Sequence, residues 1–375
     1  MTRSWLLGGV CVALAACSDS SGSQFDAGLA TDAADDGGPT PNVKGDASPN
    51  SGDGGLNLFY ANDDHSLYQL DPASLDKSSM KLIGDFDCVP SQTTVMTDIA
   101  VSKDGKLFGV RPTAAWPLTI QTVQVQVAND AGAPNDASAV DGGPDDGSAD
   151  GSSVEGGSVD GGSVDAGFTT VTQTIVHCGT KWPLAYGTHF NGLSFAPENT
   201  IAAEEVLVGG NALGNLYAID ATSGNPTIVG SLGIDPDNKL PWGVSGDIVF
   251  MANSGAPIGF VTARTCTSTT TCDPVDTLLE IDVNALKLGN SGSVIKAIRG
   301  PIKRGASCSS GPTQFGAIFG IVASGAKVYG FSRWGDFIAI DNDTGAGCLD
   351  WTATGINFAG AGITTTATVV APPPR

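Results

Sequence analysis

The chain is poor in cations, in histidine and in helical patterning. Its 375 residues hold 18 Lys and Arg against 39 Asp and Glu, a net charge of −21. Phosphate binding needs cations to displace counterions, so this balance argues against nucleic acid as a partner. Three His occur, His65, His177 and His189. No Cys or His pairs stand at metal-ligand spacing, which argues against a zinc site. No Gly-x-Ser-x-Gly motif occurs with a plausible base, which weakens a hydrolase of that type. No long stretch places apolar residues at helical spacing, and Gly (51) and Pro (21) punctuate the chain. What is present instead is short alternating segments bounded by Gly, Asn, Asp and Pro, the pattern of an all-β chain.

The acidity is uneven. Residues 18–55 hold seven Asp against one Lys, and residues 128–167 hold eight Asp and one Glu with no basic residue. Segments of this composition bury too little apolar surface to offset their ordering entropy, and their charge serves solubility.

The first residues give an address. Arg3 supplies a positive start, and Trp5 to Ala13 form an apolar run too short to span a bilayer. Residues 1–16 therefore read as a signal segment. Leu14-Ala15-Ala16-Cys17 resembles a bacterial lipobox, which implies cleavage before Cys17, a diacylglycerol on its thiol and a lipid bilayer as partner. Ser18 then implies an outer-membrane or cell-surface address. Residues 17–55 become a lipidated Cys and a flexible acidic tether, with an end-to-end distance of roughly 35 Å.

One pattern returns along the body, residues 56–370. Leu216-Tyr217-Ala218-Ile219-Asp220 runs on through an Asp-started turn to a second short strand ending at Gly233. Leu67 to Asp71, Leu278 to Asp282 and Phe337 to Asp341 repeat it. Repetition at this scale points to a repeat architecture. Units open at Asp98, Gly192, Asp247 and Ala317, each supplying four strands. The first unit starts at Leu56 without its opening strand, and Gly362 to Thr366 reads as that missing strand. The last strand then completes the first sheet and leaves no free edge. Leu118 to Val127 and Phe168 to Val176 form a hairpin that carries residues 128–167 as an insertion. Residues 371–375 are a tail.

Asp98 to Val110 together with Leu216 to Gly233 resembles the repeats of NHL-like and quinoprotein-like β-propellers. The resemblance implies a propeller of five four-stranded blades, closed by the C-terminal strand; the irregular spacing also admits six. It passes on no activity, since such repeats host many functions. The repeated Trp docking residue and the cofactor signature of quinone-dependent dehydrogenases are missing.

With Cys11 in the signal segment and Cys17 lipidated, six Cys remain, and an even number in an exported chain suggests disulfides. Cys266 and Cys272 flank a short Thr- and Ser-rich tip and suit local closure. Cys88 and Cys178 could clamp the hairpin that carries the insertion, and Cys308–Cys348 follows by elimination. The repeated Asp71, Asp220, Asp282 and Asp341 each begin a turn, where Asp bonds the backbone two residues on. Asp146, Ser148, Asp150 and Gly151 resemble the start of a calcium loop, but Gly157 stands where the last acidic ligand belongs. Lys296, Arg299, Lys303 and Arg304 form a basic cluster that reads as solvated loop.

The segments entering each unit carry Asp98, His189, Asn191, Trp242, Asp247 and Gln314, a candidate binding set at the mouth of a propeller channel. The leading expectation is a non-catalytic binding or scaffolding module without a cofactor, taking a glycan or protein ligand. The alternative is a metal-dependent hydrolase or lyase of the lactonase-like propeller type, with Ca2+ or another divalent cation at the channel mouth.

Overall fold

A computed structural model describes residues 58–89, 94–128, 168–184, 189–251, 257–268, 271–324 and 327–366. The signal segment, Cys17, the tether, the Asp146–Gly157 stretch and the tail lie outside these residues. The described chain is all-β. It contains no α-helix, and its 3-10 turns at Lys77–Ser79 and Val283–Ala285 are three residues each.

The strands come in groups of four. β1 (Phe59–Asn62), β2 (Ser66–Leu70) and β3 (Lys81–Phe86) form an antiparallel run. β4 (Asp98–Val101), β5 (Leu107–Arg111), β6 (Ala114–Ala128) and β7 (Phe168–Cys178) follow, with the two-residue β8 (Trp182–Pro183) on β6. β9 (Gly192–Ala196), β10 (Val206–Gly210), β11 (Asn215–Ile219) and β12 (Pro226–Ser231) make a four-stranded sheet. So do β13 (Trp242–Met251), β14 (Ile258–Thr265), β15 (Thr277–Ile281) and β16 (Ile295–Pro301). The last such sheet is β17 (Ile318–Ser324), β18 (Lys327–Ser332), β19 (Asp336–Asp341) and β20 (Gly347–Thr352), and β21 (Gly360–Gly362) comes after it.

β21 returns to the start of the chain and pairs antiparallel with β1, Tyr60 against Gly362 and Asn62 against Gly360. Sequence patterning expects this closure but places the strand at Gly362 to Thr366. The register is set instead by a close approach. A Cβ on Gly360 would lie 2.0 Å from Asp98 Oδ1, so only glycine fits beside β4. The β6–β7 hairpin forms as expected, and residues 129–167 between its strands are outside the described set.

The first strands of the groups lie side by side in a cycle: β21 beside β4, β4 beside β9, β9 beside β13, β13 beside β17, and β17 beside β21. Burial follows this order. β4 and β9 are buried along their whole length, while the outermost β3 and β16 expose nearly every second residue. Strands covered on both faces need unbroken apolar runs such as Ile99-Ala100-Val101, and half-covered strands need alternation. The apolar core lies in layers between neighbouring groups. Phe108 and Trp182 meet Phe195 and Leu207 in one layer; Phe59 meets Tyr329, Phe331 and Phe337 in another.

The outermost strands also touch. β3 and β7 pair in parallel at Asp85–Ile175 and Phe86–Val176, which joins the first two groups into one nine-stranded sheet. Parallel bridges Ser231–Ser293 and Arg304–Gly347 make similar links further round. The Cys88–Cys178 disulfide sits beside the β3–β7 pair, and Cys266–Cys272 and Cys308–Cys348 are formed as well. Contacts divide the chain into two units. One contains nearly all of the described strands, and the other is the stretch Thr122–Gln173 within β6 and β7.

Candidate functional site

Where the first strands meet, their inward edges have no further strand to pair with. Backbone N–H groups there need acceptors, since a buried unpaired donor is costly. Two aspartates supply them. Asp98 accepts from Ile99 N through Oδ1 and from Leu193 N through Oδ2. Asp247 accepts from Ile248 N at 2.6 Å and Leu193 N at 3.3 Å through Oδ1, and from Ile321 N at 2.9 Å through Oδ2. Both residues are fully buried, and the two carboxyl groups hydrogen-bond each other. Burial pushes both well above the usual carboxylate range, and the Asp247 charge adds to the rise at Asp98. A proton shared within the pair relieves the repulsion.

The expectation of an open channel mouth lined by Asp98, Trp242 and Asp247 is therefore corrected. The two carboxyl groups are spent on four backbone amides. The Trp242 ring is buried in the core between the third and fourth groups, and the residue's backbone N–H donates to Gly233 O. Asn191 donates to Val244 O at 2.7 Å, another stitch between strands. His189 and Gln314 are exposed.

Each group is antiparallel, so the start of its first strand shares an end with the turn between its second and third strands. We call this end the front, and the other the back. The back carries the turns between third and fourth strands, and four of these repeat one design. Asp220 Oδ1 accepts from Thr222 N, Thr222 Oγ1 and Ser223 N, and Gly224 N donates to Asp220 O. Asp341 does the same with Asp343, Thr344 and Gly345, and Asp71 and Asp282 make shorter versions. The hydroxyl of Thr222 and the amides around it pull Asp220 down to about 2. The turn reading of these aspartates is the one the geometry supports.

The front turns differ from group to group. Two share a frame. Asn211 Oδ1 accepts from Leu213 N and Asn215 N, while Gly214 N donates to Asn211 O. Ser332 Oγ accepts from Trp334 N and Asp336 N, while Gly335 N donates to Ser332 O. Gly214 and Gly335 hold φ of 76° and 82°, which closes the turn and turns the preceding side chain outward. Leu213 is 58% exposed and Trp334 66%. Ile234, in the front segment between β12 and β13, is 64% exposed. Leu232 N donates to Gly214 O at 2.7 Å, which ties that segment to the Leu213 turn.

Sequence reasoning missed Trp334, because Arg-Trp-Gly-Asp reads as one more polar turn. The matched spacing of Asn211-x-x-Gly214 and Ser332-x-x-Gly335 was the available signal. It also missed Asp276, which is fully buried and accepts from Arg264 Nε and Ser245 Oγ, each at 2.6 Å, and from Ile318 N at 2.8 Å. Lys296 and Arg299 of the basic cluster both bond Glu280, while Lys303 and Arg304 lie outside that ion pair and are exposed. Asp87, Cys88 and Cys178 place possible metal-ligating atoms within 4.8 Å of one another, but the two sulfurs are bonded to each other.

No family model matches the chain, and no curated protein matches it. Among solved structures, one described as "Structure of U3-55K" is similar at 8% identity and a TM-score of 0.32, with 83% of each chain covered. A likeness at that TM-score carries no argument about what this chain does.

Proposed function

We propose that the chain is an exported lipoprotein with a five-bladed β-propeller, held to the outer membrane or cell surface through Cys17 and its acidic tether. Its function is binding or scaffolding without catalysis. The cycle β21, β4, β9, β13, β17 and the closure of the first sheet by β21 support that blade number. The observation that carries the function is the contrast between the two faces. Four back turns keep one Asp-started design, whereas the front turns vary and two of them present Leu213 and Trp334 from a shared frame. A constant scaffold with variable, outward-facing turns is the arrangement of a recognition surface. The metal-dependent hydrolase or lyase gains no support, because the carboxyl groups it needs already hold backbone amides. The glycan or protein ligand expected beside Trp242 loses its footing with the burial of that ring, so the partner is sought at Trp334, Leu213 and Ile234.

Two measurements test this. Mature chain should partition into detergent and label with palmitate; Cys17→Ser chain that is still cut after Ala16 and behaves like wild type would sink the lipoprotein reading. Wild-type chain on beads should retain a partner that a triple variant, Leu213→Ser, Ile234→Ser and Trp334→Ser, does not. Equal retention by a folded triple variant would remove the front face as the binding surface.

A further inference from the structure

We infer that the front face contacts the headgroup and upper acyl region of a zwitterionic lipid bilayer through the side chains of Leu213, Ile234 and Trp334. This rests on the proposal that the front face is the recognition surface. Three features favour lipid over a folded partner. The apolar groups are exposed by 58, 64 and 66%, Leu213 on a turn of the third group, Ile234 on the segment after that group and Trp334 on a turn of the fifth. A stable protein interface needs a continuous complementary patch of roughly 800 Å² per partner, whereas separated tips suit a soft medium that closes around each one. The set joins two aliphatic side chains to an indole, and tryptophan favours the membrane–water boundary because its ring is apolar and its N–H is polar. Lys239, Lys303 and Arg304 are exposed on front segments, where they can meet phosphate. A net charge of −21 opposes an anionic bilayer, so the surface is a zwitterionic one.

The chain enters β1 from the back, so the tether leaves on the face turned away from these tips. The bilayer met by the front is therefore a second one, opposite the anchor.

Tryptophan fluorescence can read this contact, because Trp334 is the most exposed indole among the described residues; Trp116, Trp182 and Trp242 are buried and Trp351 is half-buried. Chain starting at Ser18, so that neither the apolar Trp5 to Ala13 run nor an acyl group contributes, is mixed with vesicles of brominated phosphatidylcholine. The expected result is quenching with a blue shift, loss of the quenching in Trp334→Phe, and a need for more lipid in Leu213→Ser and Ile234→Ser. Near-ultraviolet circular dichroism confirms that each variant is folded. Absence of quenching, or quenching that survives Trp334→Phe, overturns the inference. If bead capture of a protein or glycan still depends on the front-face residues, the recognition surface stands and the lipid assignment falls. If neither lipid nor capture depends on them, both fall. Wild-type chain anchored in plain vesicles should also be quenched by separate brominated vesicles. Quenching only when brominated lipid shares the anchoring vesicle overturns the second-bilayer assignment.

Discussion

Arg333 grips both carboxylate oxygens of Asp64, at 2.6 and 2.8 Å, across 269 residues of chain. One partner belongs to the turn after β18, the other to the turn after β1. The pair therefore fastens the last group to the first on the front, alongside the β21–β1 closure. Its two-pronged geometry makes it stronger than an ordinary surface pair. Both side chains are partly solvated, at 30 and 23% exposure, so screening limits its worth. Arg333→Ala should cost about 1 kcal/mol in urea unfolding. A double-mutant cycle with Asp64→Ala checks it, and full additivity of the two single losses would show that the pair contributes nothing.

Gly360 tests the closure itself. An added Cβ would lie 2.0 Å from Asp98 Oδ1, 2.6 Å from Asp98 Cα and 2.8 Å from Asn62 Oδ1. Gly360→Val should lower stability by about 3 kcal/mol, the upper range for overpacking. Gly355→Ala, with nothing within 4 Å, should cost only the strain of its φ of 85°, about 1 kcal/mol. Thermal melts that rank the two the other way would contradict the close approach of β21 and β4.

The Asp98–Asp247 pair sets a pH dependence. Both carboxyl groups are raised by burial, so the native state holds protons that the unfolded chain releases. Their contribution is fully present below the unfolded value, about 3.9, and is lost as pH rises through the raised folded values. Asp98→Asn should flatten that loss and keep the fold. Its amide oxygen can still accept from Ile99 N, its NH2 can donate to Asp247, and Leu193 N retains Asp247 as acceptor. Asp247→Asn should be worse tolerated, because Ile321 N loses an anionic acceptor. Unfolding curves between pH 4 and 9 would decide; an unchanged slope in Asp98→Asn would remove the pair as its source.

The disulfides should differ in worth by the chain they enclose. Sequence separations of 90, 40 and 6 residues for Cys88–Cys178, Cys308–Cys348 and Cys266–Cys272 give losses of about 4.6, 3.9 and 2.2 kcal/mol in the loop-entropy account. Ser pairs at each site, compared by chemical denaturation, check the order. A larger loss at Cys266–Cys272 than at Cys88–Cys178 would mean that local geometry, not chain entropy, sets the effect.

What could be read from the sequence was local. Asp220 and Asp341 start turns whose partners lie two and three residues on, so composition sufficed. Trp242 was placed at the channel mouth as part of a segment entering a unit, yet it packs in a core with Leu216 and Leu232. Asp98 starts β4 as expected, but Asp247 lies inside β13 rather than at its start, and the acceptor role of both depends on Leu193 and Ile321, which are remote in sequence. The parallel pairing of β3 with β7 has no local signature at all, since it joins segments about 90 residues apart.

β1 lies between β21 and β2, paired to one at three positions and to the other at four. That placement decides how the body answers a pull on the chain ahead of Phe59. Tension there runs along the strand axis and crosses the hydrogen bonds on both sides, so the two ladders are loaded together in shear. A strand at a sheet edge, peeled from its end, would yield one bond at a time. Because one of the two flanking strands is the last in the chain, the grip on the leading end depends on the trailing end being in place. A chain cut short before Gly360 would let β1 go under much smaller forces.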